Sequence, residues 1–179
     1  QLHKLPYYHT VAYKSVNPAI DLAERLAGLV PIEKAHIHFA LSGSEANDFL
    51  VKFIRFYNNA RGRPRKKKIV SRVNGYHGAT VMAASLTGIP ANHRLFDLPL
   101  PGIVHVSDPN YFRNGLDGES REEFAERLVR ELEDTIIRED PETIAAFIAE
   151  PISGAGGVSI PLQSYYAGVR AVLDKYDIL

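Results

Sequence analysis

Two rhythms of apolar residues alternate along this chain, one with helical spacing and one in short continuous runs. Asn17 followed by Pro18 predicts a helix start, a capping residue with proline at the first helical position. Ile20, Leu22, Ala23, Leu26, Ala27 and Leu29 then line one face, and Pro31 ends the pattern. Ile37 to Leu41 predicts a short strand running into Ser42-Gly43-Ser44-Glu45 and a helix that carries Phe49, Leu50, Phe53, Ile54 and Tyr57. Ile69-Val70 predicts a second strand, followed by Gly75-Tyr76-His77-Gly78 and a helix beginning within Ala79 to Leu86. Ile103 to Val106 is a third strand candidate. Ser120 with Glu123 forms a capping box that opens a helix of about 20 residues, with Phe124, Ala125, Leu128, Val129, Leu132 and Ile136 as its buried stripe. Ile144 to Ala149 is continuously apolar, as a strand buried on both faces requires. It ends at Glu150-Pro151 and the turn Gly154-Ala155-Gly156-Gly157, and a last helix takes in Tyr165, Val169, Val172 and Leu173. Strand–helix alternation of this kind predicts an α/β domain with a mostly parallel sheet flanked by helices.

Composition narrows the classes of function. The 179 residues suffice for one domain with a core, and 45% hydrophobic with 23% charged residues is ordinary for a globular protein. Lys+Arg and Asp+Glu are equal at 21, so no overall field recruits nucleic acid or an anionic membrane. The absence of cysteine excludes disulfides and thiolate metal sites, and no metal is expected. No apolar run reaches the length of a membrane span, and a cytoplasmic location is the default. Gln1 at the start, and Tyr176 to Leu179 entering an apolar strand at the end, predict an internal fragment.

Open α/β sheets bind ligands at the carboxyl ends of their strands, and three unusual turns fall at such positions. In Ser42-Gly43-Ser44-Glu45-Ala46-Asn47 a helix start offers free N–H groups to an anion, with Gly43 permitting close approach and Ser44 adding a hydroxyl. The same residues also read as an ordinary serine cap. In Gly75-Tyr76-His77-Gly78 an aromatic ring between glycines can lie against a planar ligand, or can simply cover core with His77 bonded nearby. Glu150 leaves the most apolar strand, where a carboxylate needs a cation, a donor or a ligand unless it is already in solvent.

In this order and spacing, these turns together with Ala145-Ala146-Phe147-Ile148-Ala149-Glu150-Pro151 resemble class III aminotransferases, pyridoxal-phosphate (PLP) enzymes of fold type I. The resemblance runs from about Leu5 to Leu179, over nearly the whole sequence. Tyr76 in place of phenylalanine before His77 is similar to the ω-amino acid or amine–pyruvate branch. The resemblance implies that residues 17–179 are part of a PLP-binding large domain, and that residues 1–16, with Leu5-Pro6-Tyr7-Tyr8, lie near the interface of a homodimer. It also implies pyridoxal 5'-phosphate as cofactor, and an amino donor and a keto-acid acceptor as substrates. Gly43 and Ser44 would bind the cofactor phosphate through a backbone N–H and a hydroxyl. Tyr76 would stack on the pyridine ring, Glu150 would join the hydrogen-bonded groups around it, and His77 would lie behind them. Ser153 and Ala155 would border the substrate.

The family's pyridine-nitrogen Asp and Schiff-base Lys are expected beyond Leu179, so no catalytic residue is assigned within the chain and the chain alone is expected to be inactive. Lys52, Lys66 to Lys68 and Lys175 read as surface charges, because none stands at an apolar strand exit. Three other readings compete. A non-catalytic module for a phosphorylated ligand would use the same first turn. Nucleic-acid binding would use Arg61, Arg63, Arg65, Lys66, Lys67 and Lys68, but no aromatic residue interleaves them and a solvated connection is the expectation. A nicotinamide site would need Gly-x-Gly-x-x-Gly, which Ser42-Gly43-Ser44-Glu45 lacks.

Overall fold

Three of the apolar runs pair into one parallel sheet. The computed structural model describes His3, His9 and residues 14–179, so Leu5-Pro6-Tyr7-Tyr8 lies outside the described residues. Two units are present, Gln1–Ala40 and Leu41–Leu179.

In the first unit, Asn17–Ala27 forms helix α1. Its N-cap is Val16 rather than Asn17, and no side chain caps it. Proline's fixed φ suits the first helical turn, so Asn17 and Pro18 are drawn inside it. The helix closes at Gly28, whose N–H bonds to Glu24 O at 3.2 Å, before Pro31 is reached. The strand expected over Ile37–Leu41 does not form. A strand exists only in a ladder, and none of the described residues supplies a neighbouring strand there.

The second unit runs α2 (Gly43–Ala60), β1 (Lys68–Arg72), α3 (Val81–Leu86), β2 (Ile103–Val106), α4 (Tyr111–Asn114), α5 (Arg121–Arg138), β3 (Ile144–Phe147) and α6 (Gln163–Lys175). The sheet order is β2-β1-β3, all parallel, with Ile69 opposite Ile103 and Ala146. Alternate β1 side chains face opposite layers. Ile69 joins Val51 and Ile54 of α2, Leu86 of α3 and Ile103, while Val70 joins Leu128, Leu132 and Ile136 of α5 and Tyr165, Val169 and Leu173 of α6. Helices therefore cover both faces, as the alternation of the sequence predicts. The α5 capping box is present, with Ser120 Oγ accepting from Glu123 N–H and the Glu123 carboxylate from Ser120 N–H. Beyond α6, Leu179 exchanges two backbone bonds with β3, to Phe147 N–H and Ala145 O.

The basic run is the solvated connection expected except at Lys66, the one member of the six that is buried. Arg63 pairs with Asp177, Arg65 with Asp140 and Lys68 with Glu139. Lys66 is buried at 2% exposure, and its Nζ donates to Tyr176 O at 2.8 Å and Asp177 O at 2.9 Å. A cation beneath carbonyls at a helix C-terminus is favourable, although burial lowers the lysine's pKa. The expectation that Lys66 is a surface charge fails because its acceptors lie more than a hundred residues away, where no local pattern can signal them. Lys66→Met in the whole protein should cost about 1–3 kcal/mol of unfolding free energy by stranding two carbonyls, and Arg65→Met less than about 1 kcal/mol. Denaturant midpoints that fall equally would contradict the distinction.

Candidate functional site

All the residues singled out for the site lie in the second unit, over the carboxyl edge of its sheet. The start of α2 is the first component. Ser42, not Ser44, is the cap, its Oγ accepting from Glu45 N–H at 3.2 Å, and Glu45 Oε2 accepts from Leu41 N–H at 2.7 Å. The cap reading is therefore correct for Ser42 and leaves Ser44 for other work. No described residue accepts from the N–H groups of Gly43 and Ser44, and a Cβ on Gly43 would meet nothing within 4 Å. Two free donors thus stand at the positive end of an 18-residue helix with open space before them.

The turn after β1 is tied to that helix along one face. Ser44 Oγ accepts from Ala79 N–H at 3.0 Å, Asn47 Nδ2 donates to His77 O at 2.6 Å, and Asp48 Oδ1 accepts from Thr80 Oγ1 at 2.7 Å and Ala83 N–H at 3.2 Å. Asn47 closes the first of the three turns in the sequence without a role assigned to it, and Asp48 lies just beyond that turn. Their signal was there, because polar residues at 44, 47 and 48 share a helical face with buried Val51. Gly78 makes the approach possible: at φ +133° a Cβ would stand 2.4 Å from Ser44 Oγ and 2.8 Å from Ala83 Cβ. Since the Ser44 oxygen already accepts, its O–H remains available to donate.

Tyr76 is 42% exposed, so its ring is not a cover for the core. His77 is buried. Its N–H donates to Thr87 Oγ1 at 2.8 Å, while its ring Nε2 has no protein partner. Burial holds the imidazole below its usual pKa, opposed by Glu150 and assisted by Arg72, so it is neutral near pH 7.

Glu150 is half-buried and joins two loops. Oε2 accepts from Tyr76 N–H at 3.0 Å and Oε1 from Gly154 N–H at 3.1 Å. The carboxylate is thereby held by two backbone donors. Ser153 is buried with its hydroxyl toward Arg72, at 3.4 Å from Nη2, and Ala155 is exposed. The glycine-rich turn lies directly on the end of β1, where a Cβ on Gly156 would stand 2.0 Å from Asn74 O. Ser44, Tyr76, His77 and Glu150 are thus linked through hydrogen bonds to one turn, with Gly43 preceding Ser44 in α2, while Ser153 and Ala155 belong to the glycine-rich turn. Among the described residues no group of three or more His, Asp or Glu could hold a metal, and no helix is long and apolar enough to cross a membrane.

The family model for class III aminotransferases matches residues 3–179. The chain belongs to the class III aminotransferases. It is 52% identical to gamma-aminobutyrate transaminase 1, mitochondrial, of Oryza sativa, covering all of this chain and 35% of that protein. The same identity and coverage hold for gamma aminobutyrate transaminase 1, mitochondrial, of Solanum lycopersicum. Among solved structures it superimposes with TM-score 0.97 and 54% identity on the omega transaminase of Pseudomonas jessenii in complex with PMP, covering 99% of this chain and 39% of that one. The PMP-bound aminotransferase of Vibrio fluvialis gives TM-score 0.95 and 45% identity, over 99% and 39%. The chain therefore spans a little over a third of the length of these relatives. The plant relatives are named as mitochondrial and lend the cytoplasmic expectation no support.

His77 generates a pH prediction. Its folded-state pKa, like that of His105, lies below 6.5, so the unfolded chain binds more protons as pH falls past that value. Their contribution is complete above pH 6.5 and is lost as pH drops toward the folded pKa. The denaturant midpoint of the whole protein should therefore be level above about pH 6.5 and decline as pH falls below it, and His77→Gln should flatten the decline. An unchanged slope in the variant would show that His77 is not held neutral.

Proposed function

We propose that the protein containing this chain moves an amino group from an amine or ω-amino acid to a keto acid such as pyruvate, by a ping-pong sequence, with pyridoxal 5'-phosphate as cofactor. The observation that carries this reading is the pair of free N–H donors at Gly43 and Ser44, tied through Ser44, Asn47 and Asp48 to the turn that carries the exposed Tyr76. That arrangement fits a phosphorylated planar ring: anion donors at one end, an aromatic face nearby, and the unpartnered His77 Nε2 behind. Family membership selects the cofactor among such ligands.

Gly43 and Ser44 hold the phosphate through N–H groups, and Ser44 adds its hydroxyl. Tyr76 lies against the ring, and Glu150 fixes the Tyr76 turn by accepting from its N–H. Neutral His77 supports that turn without adding a charge. Ala155, exposed in the glycine-rich turn, borders the substrate, and Ser153 shapes the same turn from beneath. When bound, the cofactor supplies an electron sink for the carbon that bears the amino group.

The lysine that bonds to the cofactor and the Asp at its ring nitrogen are proposed to come from outside these 179 residues. Every lysine of the second unit is otherwise engaged: Lys66 with two carbonyls, Lys67 with Asn59, Lys68 with Glu139, Lys175 with Glu133, and Lys52 over the Phe49 ring. The whole protein is proposed to be a homodimer, as its likeness to the class III aminotransferases implies.

The whole protein, supplied with an amine and pyruvate, should form alanine, and the isolated 179-residue chain should form none. Ser44→Ala in the whole protein should weaken PLP about 10- to 100-fold while leaving pyridoxal, which lacks the phosphate, within about 3-fold, as loss of a hydrogen bond to an anion predicts. Binding of PLP without any amino transfer would favour the non-catalytic ligand-binding module. An equal loss for both compounds would remove Ser44 from the phosphate site.

A further inference from the structure

β1 carries a charge where its neighbours are apolar. Ile69, Val70 and Ser71 are buried, and so is Arg72 at 1% exposure. A guanidinium keeps its charge at any accessible pH, so its burial must be offset by acceptors. No described carboxylate lies within ion-pair distance of it. Nη2 donates to the backbone carbonyl of Glu150 and, at 3.4 Å, to Ser153 Oγ, the Tyr165 hydroxyl also faces the guanidinium, and Nε and Nη1 have no hydrogen-bond partner among the described residues. An apolar side chain would fill this position without stranding two buried donors, so core stability alone does not explain the arginine.

The main chain of the same residue has a second task. Arg72 O accepts from Gly75 N–H at 3.1 Å and so closes the turn that presents Tyr76. One residue thus grips both loops of the site, the Tyr76 turn by its backbone and the Glu150 turn by its side chain. The Glu150 carboxylate spans the same gap, from Tyr76 N–H to Gly154 N–H. Without the guanidinium on its carbonyl, the Glu150 backbone would be free to move away from the point at which both carboxylate oxygens are matched to their donors.

We propose that Arg72 is a positioning residue that acts through Glu150: its guanidinium sets the backbone from which the carboxylate reaches the Tyr76 turn, and thereby sets the ring-facing geometry of the site. The inference rests on the reading of Tyr76 and Glu150 as cofactor-facing. It is tested in the whole, cofactor-loaded enzyme with Arg72→Gln, Arg72→Lys, Glu150→Gln and the Arg72→Gln/Glu150→Gln double variant. The readouts are the PLP dissociation constant, the visible absorbance band of the bound cofactor, and Tm. Arg72→Gln and Glu150→Gln should each weaken PLP by about 10-fold and shift the band in the same direction, and the double variant should be no more than about 3-fold worse than the worse single, because both changes disable one device. Arg72→Lys, which keeps one donor and the charge, should recover part of the loss. Should Arg72→Gln not fold, the cycle is run with Arg72→Lys in its place and read in the same way. Losses that multiply in the double variant, or an Arg72→Gln effect confined to Tm, overturn the proposal while leaving Glu150 in the site. A Glu150→Gln variant with unchanged PLP affinity and spectrum removes Glu150 from the site and the proposal with it.

Discussion

Parallel pairing of β1 with both β2 and β3 sends the loops of all three strands out over one edge of the sheet. Every contact of the candidate site depends on that common direction. Tyr76 follows β1 and Glu150 follows β3, so two turns separated by 74 positions stand close enough for a 3.0 Å hydrogen bond. Helix α2 reaches the same edge because Val51 and Ile54 pack on the face that also carries Ile69 and Ala146, which carries its open N-terminus alongside Gly78. Were β3 antiparallel to β1, the Glu150 turn would lie at the opposite end of the sheet from Tyr76.

The site assembled there consists of donors and dipoles more than of paired charges. At the start of α2 it offers two N–H groups and one hydroxyl. Its acid, Glu150, is held by two N–H groups, and its imidazole is kept neutral by burial. Arg72 is the exception, a permanent cation enclosed beneath the loops with neutral acceptors only. In a region of low polarity a fixed charge orients the groups around it more strongly than a dipole does, which is why its placement carries information about the loops above.

Much of this was legible in the sequence, and what was not has a common cause. The stripe and capping box of α5 appear where apolar spacing and Ser120 with Glu123 place them, and β2 spans the expected Ile103–Val106. The glycine-flanked turns fall at strand ends, because glycine marks close approach wherever it lies. The run Ile37–Leu41 looked like a strand because composition cannot say whether a partner strand is adjacent. Lys66 looked like a surface charge because its carbonyl acceptors belong to Tyr176 and Asp177. Arg72, hidden at the end of an apolar run, is explained only by partners that folding brings to it.

The most direct measurement is a crystal structure of the whole protein with PLP bound. The phosphate should lie within hydrogen-bond distance of the Gly43 and Ser44 N–H groups, the ring against Tyr76, and the Glu150 carboxylate should still join Tyr76 N–H to Gly154 N–H. A phosphate bound elsewhere, with the start of α2 facing only solvent, would contradict this arrangement.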